Sequence, residues 1–182
     1  MRRFGLIGFP LGHSFSKKYF TEKFLLEGID ARYDLYELKS LEEFAELKVS
    51  ENLCGLNVTI PYKQQIIPFL DEMDETAAEI GAVNVIKFIR NGNDLKLKGY
   101  NSDAIGFLQS IRPNLKPHHN KALILGTGGA SRAFDYTLRK LGIETTFVGG
   151  NVVVGAIVVT GGIVVVDDDD VVVSCTKSGR EL

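Results

Sequence analysis

Apolar residues along the first two-thirds of the chain alternate between a spacing of two, typical of strands, and a spacing of three or four, typical of helices. Strand-like runs cover residues 4–8, 32–37, 53–60, 83–89 and 95–98. Helical spacing covers residues 16–27, 41–47, 61–70, 74–80 and 103–111. Asn91 and Gly92, between the last two strand-like runs, predict a hairpin turn. This alternation of elements predicts an α/β fold.

The same alternation continues after residue 120. Residues 121–125 form a strand-like run, a glycine-rich turn follows, and residues 131–141 have helical spacing before a further strand-like run at 143–148. These elements predict one βαβ unit with a right-handed crossover. The polar segment 113–120 contains Pro117 and two histidines and is interpreted as a linker. We therefore expect one domain over residues 1–112, a linker over 113–120 and a second domain over 121–182.

The last part of the chain has an unusual composition. Residues 152–173 are almost entirely Val, Gly, Ile and Asp, with four aspartates in a row at 167–170. Such a segment has strand propensity and lacks the Leu, Ala, Glu and Lys that are typical of helices. It therefore favours strands over helices, and the residues give it no further assignment.

Composition narrows the classes of function. Hydrophobic residues make up 45% of the chain and charged residues 24%, which is ordinary for a soluble globular protein. The formal net charge of −2 gives no reason to expect nucleic acid or an anionic membrane as a partner. Because no apolar run has the length of a membrane span and the first residues lack a secretory signal pattern, we expect a cytoplasmic protein. Cys54 and Cys175 are too far apart in the sequence to suggest a metal site.

A glycine-rich turn in the second domain is the first candidate for chemistry. It lies between a strand-like run and a helical segment and consists of Gly126, Thr127, Gly128, Gly129 and Ala130. In that context, backbone N–H groups and the positive end of a helix can bind a pyrophosphate. Ser131 occupies the place of the third glycine in the dinucleotide fingerprint. A purely structural turn is the alternative, but the flanking strand and helix favour a nucleotide site.

The residues that follow the second strand of such a unit determine which cofactor it prefers. A basic side chain there binds the 2′-phosphate of NADP, whereas an acidic one binds the ribose hydroxyls of NAD. This chain has Gly149-Gly150-Asn151 at that place, which is neither basic nor acidic. The residues alone therefore leave the choice between NADP and NAD open.

A second group of polar residues ends the third strand-like run. Asn57 and Thr59 are two residues apart, so their side chains point to the same face of the strand. Pro61 ends the strand, and Lys63 lies in the first turn of the helix predicted after it. A lysine beside a carboxylate can relay a proton during the oxidation of an alcohol. The alternative is a solvated surface lysine, which spacing alone favours.

Asp103 and two serines also have simple explanations on spacing alone. Asp103 lies at the start of a helical segment and is first interpreted as its N-cap. Ser14 and Ser16 lie between a strand and a helix, where their hydroxyls could bind a carboxylate in front of the helix N-terminus. Capping of that helix is the alternative and is favoured by spacing alone. The histidines lack ligand spacing, so we expect no metal.

Six blocks of residues follow one another along 130 positions of the chain. They are Gly5-Leu6-Ile7-Gly8-Phe9-Pro10, Ser14-Phe15-Ser16, Asn57-Val58-Thr59-Ile60-Pro61-Tyr62-Lys63, Gly81-Ala82-Val83-Asn84, Gly99-Tyr100-Asn101-Ser102-Asp103 and Gly126-Thr127-Gly128-Gly129-Ala130. In order and spacing, these blocks resemble the shikimate dehydrogenases. The resemblance implies an α/β shikimate-binding domain over 1–112 and part of a Rossmann-like NADP-binding domain over 121–182. It also implies NADP-dependent interconversion of shikimate and 3-dehydroshikimate, on the route to chorismate and the aromatic amino acids.

The substrate contacts that the resemblance implies fall into two groups. Ser14 and Ser16 would hold the carboxylate of shikimate, with Thr59 nearby. The ring hydroxyls would be bound by Asn57, Asn84 and Asp103.

The resemblance also implies a catalytic pair, Lys63 and Asp103. Lys63 would accept the proton as the substrate's C3 hydroxyl group is oxidised and its hydride passes to the nicotinamide. The pyrophosphate of NADP would lie against the turn from Gly126 through Ala130.

The chain departs from the family in its second domain. Family members have an arginine that binds the 2′-phosphate where this chain has Gly150, and residues 174–180 only echo the family motif Asn-x-Thr-Pro-x-Gly-Met. Family members also continue through further strands and helices. Two alternatives therefore stay open: a quinate/shikimate dehydrogenase that uses NAD or NADP, and a catalytically silent fragment that binds shikimate. The sequence does not determine the oligomeric state, and a homodimer is one option.

Overall fold

The computed structural model describes residues 1–50, 52–148, 163–166 and 171–174. The chain divides into two compact units, Met1–Asn101 and Ser102–Leu182. Each unit contains both strands and helices, and the predicted α/β class is confirmed. The predicted linker at 113–120 rests on composition and stays a prediction. Within the described part of the chain, no helix is long and apolar enough to cross a membrane.

The described residues of the first unit form one sheet and three α-helices. The strands are β1 (Arg2–Gly8), β2 (Ala31–Glu37), β3 (Leu53–Val58), β4 (Glu72–Met73), β5 (Val85–Asn91) and β6 (Asp94–Tyr100). The helices are α1 (Ser16–Leu26), α2 (Glu42–Ser50) and α3 (Glu75–Ile80). The strand order in the sheet is β2-β1-β3-β5-β6-β4.

The directions of these strands determine which loops meet. Strand β1 runs parallel to both β2 and β3, whereas β5 runs antiparallel to β3 and to β6. The carboxyl ends of β1, β3 and β6 therefore lie at the same edge of the sheet as the amino end of β5. We call this edge the site edge, because the predicted substrate residues follow or precede these strand ends.

Both faces of the sheet bury apolar side chains. Successive residues of a strand point to opposite faces, and accordingly Leu6 and Ile7 of β1 belong to different buried clusters. Ile7 packs in the larger cluster with Phe44 of α2, and both side chains are fully buried. Leu6 packs in the smaller cluster with Tyr33 of β2 and the partly buried Phe20 of α1. Full burial of one such apolar side chain stabilises the fold by roughly 1.5–3 kcal/mol.

The helix predicted over residues 61–70 is wrong. Residues 60–66 form consecutive turns, and only Ile67–Phe69 form a short 3₁₀-helix. The carbonyl of Lys63 accepts a hydrogen bond from the Val83 backbone N–H at 2.7 Å instead of from a residue one helical turn further on. Pro68 has no backbone N–H with which to continue a helical ladder. The apolar residues there are nevertheless buried, since Ile66 is fully covered.

The second unit contains the predicted βαβ unit. Its described elements are α4 (Asp103–Ile111), a short 3₁₀-helix (Arg112–Asn114), β7 (Lys121–Leu125), α5 (Gly129–Lys140), β8 (Glu144–Val148), β9 (Ile163–Val166) and β10 (Val171–Ser174). The strand order is β8-β7-β10-β9, with β7 parallel to both β8 and β10. Helices α4 and α5 pack through the rings of Phe107 and Phe134, whose centroids are 4.3 Å apart.

Two further predictions from the sequence concern this unit, namely the N-cap of α4 and the strands of the valine-rich segment. Asp103 is not an N-cap but the first residue of α4, and the residue that precedes the helix is Ser102. In the valine-rich segment, 163–166 and 171–174 are strands, in line with its strand propensity. The remaining residues between 152 and 170 lie outside the described residues.

An ion-pair cluster joins α1 to β2 in the first unit. Asp34 is only 8% exposed, and its carboxylate is 3.2 Å from Lys17 Nζ and 2.5 Å from Arg32 Nε. Burial by itself would raise the pKa of this carboxyl, but the hydrogen bonds and positive charges of Arg32 and Lys17 outweigh it and lower the pKa. The ionised form therefore stabilises the fold above the ordinary pKa of an aspartate, and this contribution is lost as the pH falls through the lowered value.

We expect Asp34→Asn to reduce the free energy of unfolding at neutral pH by about 1 kcal/mol, because the charge-assisted bonds are lost. The difference from wild type should narrow below about pH 4, where the wild-type carboxyl also loses its charge. Urea unfolding of both proteins at several pH values measures this. Glu72→Gln is the matched control. The Glu72 carboxylate also faces two lysines, with Lys96 Nζ at 3.8 Å and Lys98 Nζ at 3.6 Å, but its side chain is half exposed. A stability difference that is independent of pH would contradict the assignment.

Candidate active site

The predicted substrate residues of the first unit gather at the site edge of its sheet. Ser14 and Ser16 follow β1, Asn57 and Thr59 lie at the end of β3, and Asn84 directly precedes β5. These positions are up to 70 residues apart in the sequence, and the parallel and antiparallel strand pairings bring their backbones to one edge. All five residues therefore lie at the same edge of the sheet.

Backbone hydrogen bonds hold the loops after β1 and β3 side by side. The Thr59 N–H donates to the Ile7 carbonyl at 2.9 Å, and the Phe9 N–H donates to the Ile60 carbonyl at 3.0 Å. Both loops then turn through cis peptide bonds, Phe9–Pro10 and Ile60–Pro61. Gly8 lies between them, and a Cβ atom there would overlap the methyl group of Thr59. The absence of a side chain at position 8 thus permits the close approach of the two loops.

Asn84 is fixed between two strands by its backbone. Its carbonyl accepts from the Val58 N–H at 2.9 Å, and its N–H donates to the Tyr100 carbonyl at 3.0 Å. Asn101 secures the same loop, because its side-chain Nδ2 donates to the Ala82 carbonyl at 2.9 Å while the residue is 3% exposed. This role of Asn101 is not visible in the sequence pattern, although the residue lies in one of the six blocks.

The two serines lie where α1 begins. Ser14 Oγ accepts a hydrogen bond from the Ser16 backbone N–H at 3.3 Å, so Ser14 satisfies one donor at the helix start. The residue that directly precedes the helix is Phe15, which makes no side-chain cap. The Ser14 hydroxyl can still donate its proton elsewhere, because it accepts in this bond. Capping and ligand binding are therefore compatible at Ser14.

Sequence reasoning missed a buried tyrosine at this edge. The Tyr33 hydroxyl donates to Asn57 Oδ1 at 2.8 Å, and the residue is 3% exposed. Burial raises the pKa of Tyr33 far above its ordinary value, and a hydrogen bond with the Ser16 side chain only partly opposes this shift. Tyr33 therefore stays protonated and donates directly to one of the predicted substrate residues, Asn57. A tyrosine in a buried strand indicates that its hydroxyl has a hydrogen-bond partner inside the protein. The sequence pattern of β2 does not identify that partner.

The predicted catalytic pair is divided between the two units. Lys63 is half-buried in the turns that follow β3, and its carbonyl bond to Val83 anchors it beside the loop that carries Asn84. Asp103 is half-buried and opens α4, in the second unit. The helix predicted to carry Lys63 does not form, whereas Asp103 lies in the first turn of its predicted helix. The pairing of the two residues stays a prediction.

The glycine-rich turn of the second unit joins β7 to α5. Gly126 has a φ of +108°, which favours glycine, and its N–H donates to the Val148 carbonyl at 2.9 Å. Gly128 precedes α5 in an extended conformation, and nothing described lies within 4 Å of where its Cβ would be. Ser131 is fully buried, so this position requires a small side chain, as does the third glycine of the fingerprint.

Two of the departures from the family pattern fall on residues outside the described part of the chain. Gly150, at the position that would bind a 2′-phosphate, lies outside the described residues. The same holds for 175–180, whereas Ser174 ends β10. No group of three or more His, Cys, Asp or Glu side chains suited to a metal ion occurs among the residues that the structure describes.

Known proteins with similar sequences include shikimate dehydrogenases. Residues 6–86 match the family model described as the shikimate dehydrogenase substrate binding domain. A shikimate dehydrogenase (NADP(+)) of Aquifex aeolicus is 44% identical over 148 residues, which are 78% of this chain and 52% of that protein. The chain thus spans about half the length of the curated relatives that it matches.

Solved structures give the same result. The crystal structure of shikimate dehydrogenase from Aquifex aeolicus superposes with a TM-score of 0.73 at 39% identity, covering 82% of this chain and 56% of that chain. The Thermus thermophilus enzyme, solved in complex with NADP(H) and shikimate, superposes with a TM-score of 0.70 at 31% identity, covering 83% and 57%. The resemblance inferred from the six blocks is confirmed.

We expect Gly8→Ala to destabilise the protein by about 1–3 kcal/mol, because its Cβ would overlap the Thr59 methyl group and lie 2.8 Å from Leu11 Cδ2. Gly12→Ala is the matched control, since nothing lies within 4 Å of a Cβ there, and it should change the stability by less than about 0.5 kcal/mol. Urea unfolding compares the two variants. Equal stabilities would mean that the loops do not need their close approach.

Proposed function

We propose that this chain carries the substrate binding domain of the shikimate dehydrogenase family, that it binds shikimate at the site edge, and that it interconverts shikimate and 3-dehydroshikimate with NADP. The observation that carries the proposal is the gathering of Ser14, Ser16, Asn57, Thr59 and Asn84 at one sheet edge. All five lie within residues 6–86, which match the family's substrate binding domain.

The start of α1 suits the carboxylate of shikimate. Ser14 and Ser16 supply hydroxyl donors there, and the N-terminus of a helix carries partial positive charge. The first turn of α1 contains no acidic residue that would repel an anion. Thr59, on the neighbouring loop, adds a hydroxyl that the bonds around Gly8 hold close to β1.

Asn57 and Asn84 suit the ring hydroxyls, because an amide both donates and accepts hydrogen bonds. Each lies on a rigid part of the fold, Asn57 within β3 and Asn84 with its backbone bonded to two neighbouring strands. Preorganised polar groups lose little entropy when a ligand binds, which favours specific recognition of the hydroxyl pattern.

Lys63 and Asp103 form the catalytic pair of this proposal. Oxidation of the C3 hydroxyl of shikimate releases a proton and a hydride, and Lys63 Nζ accepts the proton from the hydroxyl oxygen. Asp103 binds the same hydroxyl and orients it. NADP⁺, when bound, supplies the acceptor for the hydride.

The glycine-rich turn fits the cofactor's pyrophosphate. The left-handed Gly126 and the open space at Gly128 allow a phosphate to approach the backbone at the start of α5. The turn from Gly126 through Ala130 would therefore hold the pyrophosphate. Selectivity for NADP over NAD is a separate matter, because Gly150 offers no side chain to the 2′-phosphate.

The first experiment combines calorimetry with shikimate and absorbance of reduced nicotinamide, with NADP⁺ or NAD⁺ added to the purified chain. Heat of binding together with shikimate-dependent reduction supports the full proposal. Equal rates with both cofactors would favour the quinate/shikimate dehydrogenase alternative. Binding without reduction would identify the catalytically silent fragment. A folded chain that gives neither signal would refute the proposal.

Ser16→Ala should weaken shikimate binding roughly tenfold, because a hydrogen bond to the carboxylate is lost. Ser110→Ala is the control, since Ser110 lies in α4 of the second unit and its hydroxyl donates to the Phe107 carbonyl at 2.8 Å. Calorimetric titration of both variants provides the measurement. If the two variants bind shikimate equally well, Ser16 does not contact the substrate.

Cytoplasmic location and a homodimer stay predictions.

In a version extended to the length of its relatives, Lys63→Ala should lower kcat by roughly 10²–10⁴-fold. The dissociation constant for shikimate should change far less, because the substrate's other contacts are unaffected. Lys96→Ala, which removes an exposed lysine of β6 that faces Glu72, is the control and should leave kcat unchanged. An unaltered kcat in Lys63→Ala would exclude Lys63 as the proton acceptor.

A further inference from the structure

The contacts of Tyr33 give it a function beyond the core. Its ring stacks on Phe20, with centroids 4.5 Å apart and planes 16° from parallel. The hydroxyl at the other end of the side chain reaches the site edge, although the residue itself is on β2, an outer strand of the sheet. The packed ring therefore fixes where the hydroxyl lies.

The hydroxyl of Tyr33 determines how Asn57 is presented. Because Asn57 Oδ1 accepts from Tyr33 at 2.8 Å, the amide oxygen is engaged inside the protein and the Nδ2 hydrogens are directed away from it. A hydroxyl oxygen of a ligand can accept from these hydrogens. Burial raises the pKa of Tyr33, so the phenol remains a donor through the neutral pH range.

We propose that Tyr33 is a positioning residue that orients the Asn57 amide, so that Asn57 donates to a ring hydroxyl of shikimate. This inference rests on the proposed function, since it assigns Tyr33 to the same site. Tyr33 acts through Asn57 and does not itself touch the substrate.

Tyr33→Phe tests this, because the ring and its stacking on Phe20 are retained while the hydroxyl is removed. We expect the dissociation constant for shikimate, measured by calorimetry on the full chain, to rise roughly tenfold. Tyr62→Phe is the matched control: its hydroxyl is also buried but donates to the Leu38 backbone carbonyl at 2.7 Å. This variant should lose comparable thermal stability and keep the wild-type affinity within about twofold.

A double-mutant cycle separates positioning from a general structural effect. In the Asn57→Ala background, Tyr33→Phe should cause no further loss of affinity, because the group that Tyr33 orients is already absent. A full additional loss in that background, or wild-type affinity in Tyr33→Phe, would overturn the inference while leaving the proposed function intact.

A measurement without ligand keeps the two proposals distinguishable. The side-chain amide resonances of Asn57, observed by NMR in the free protein, should shift in Tyr33→Phe and stay unchanged in Tyr62→Phe. Failure of the wild-type chain to bind shikimate would refute the proposed function. Unchanged Asn57 resonances in Tyr33→Phe would refute the positioning role, whatever the calorimetry shows.

Discussion

The parallel pairing of β1 with β3 continues past the ends of both strands, and the site depends on that continuation. Hydrogen bonds from Thr59 to Ile7 and from Phe9 to Ile60 keep the two outgoing chains adjacent. A side chain at Gly8 would separate them. The loop that leads to Ser14 and the one that leads to Lys63 consequently start from a common point. Polar groups from distant parts of the sequence thereby become neighbours without a long connecting loop.

Elements with a clear hydrophobic period were predictable to within a few residues. Helix α4 matches its prediction at both ends, and β7 matches as well, because each has an unbroken pattern and flanking polar residues. The helix over 61–70 failed because a tertiary contact overrode local spacing. The backbone N–H of Val83 takes the Lys63 carbonyl, and no local pattern reports a partner that lies 20 residues away.

The candidate site shows the same limit. The resemblance identified the residues that gather at the site edge, and sheet topology explains why they gather there. Tyr33 could not be found in this way, since its bond to Asn57 spans 24 residues and its position in β2 looks like any buried strand residue. The roles of Asn101 and Gly8 likewise depend on backbone groups brought close by folding. The sequence therefore identifies which residues form the candidate site, whereas the contacts that orient their side chains are seen only in the folded structure.

The antiparallel direction of β5 links ligand binding to the stability of the first unit. Because β5 runs against both of its neighbours, Asn84 reaches the site edge from the start of a strand, after most of the first unit has been traversed. The site therefore exists only when the non-local pairings across this sheet have formed. A ligand bound at this edge binds only the folded unit, so by mass action it shifts the folding equilibrium toward the folded state. A higher concentration of the ligand should therefore lower the population of the unfolded chain and slow its cleavage by proteases.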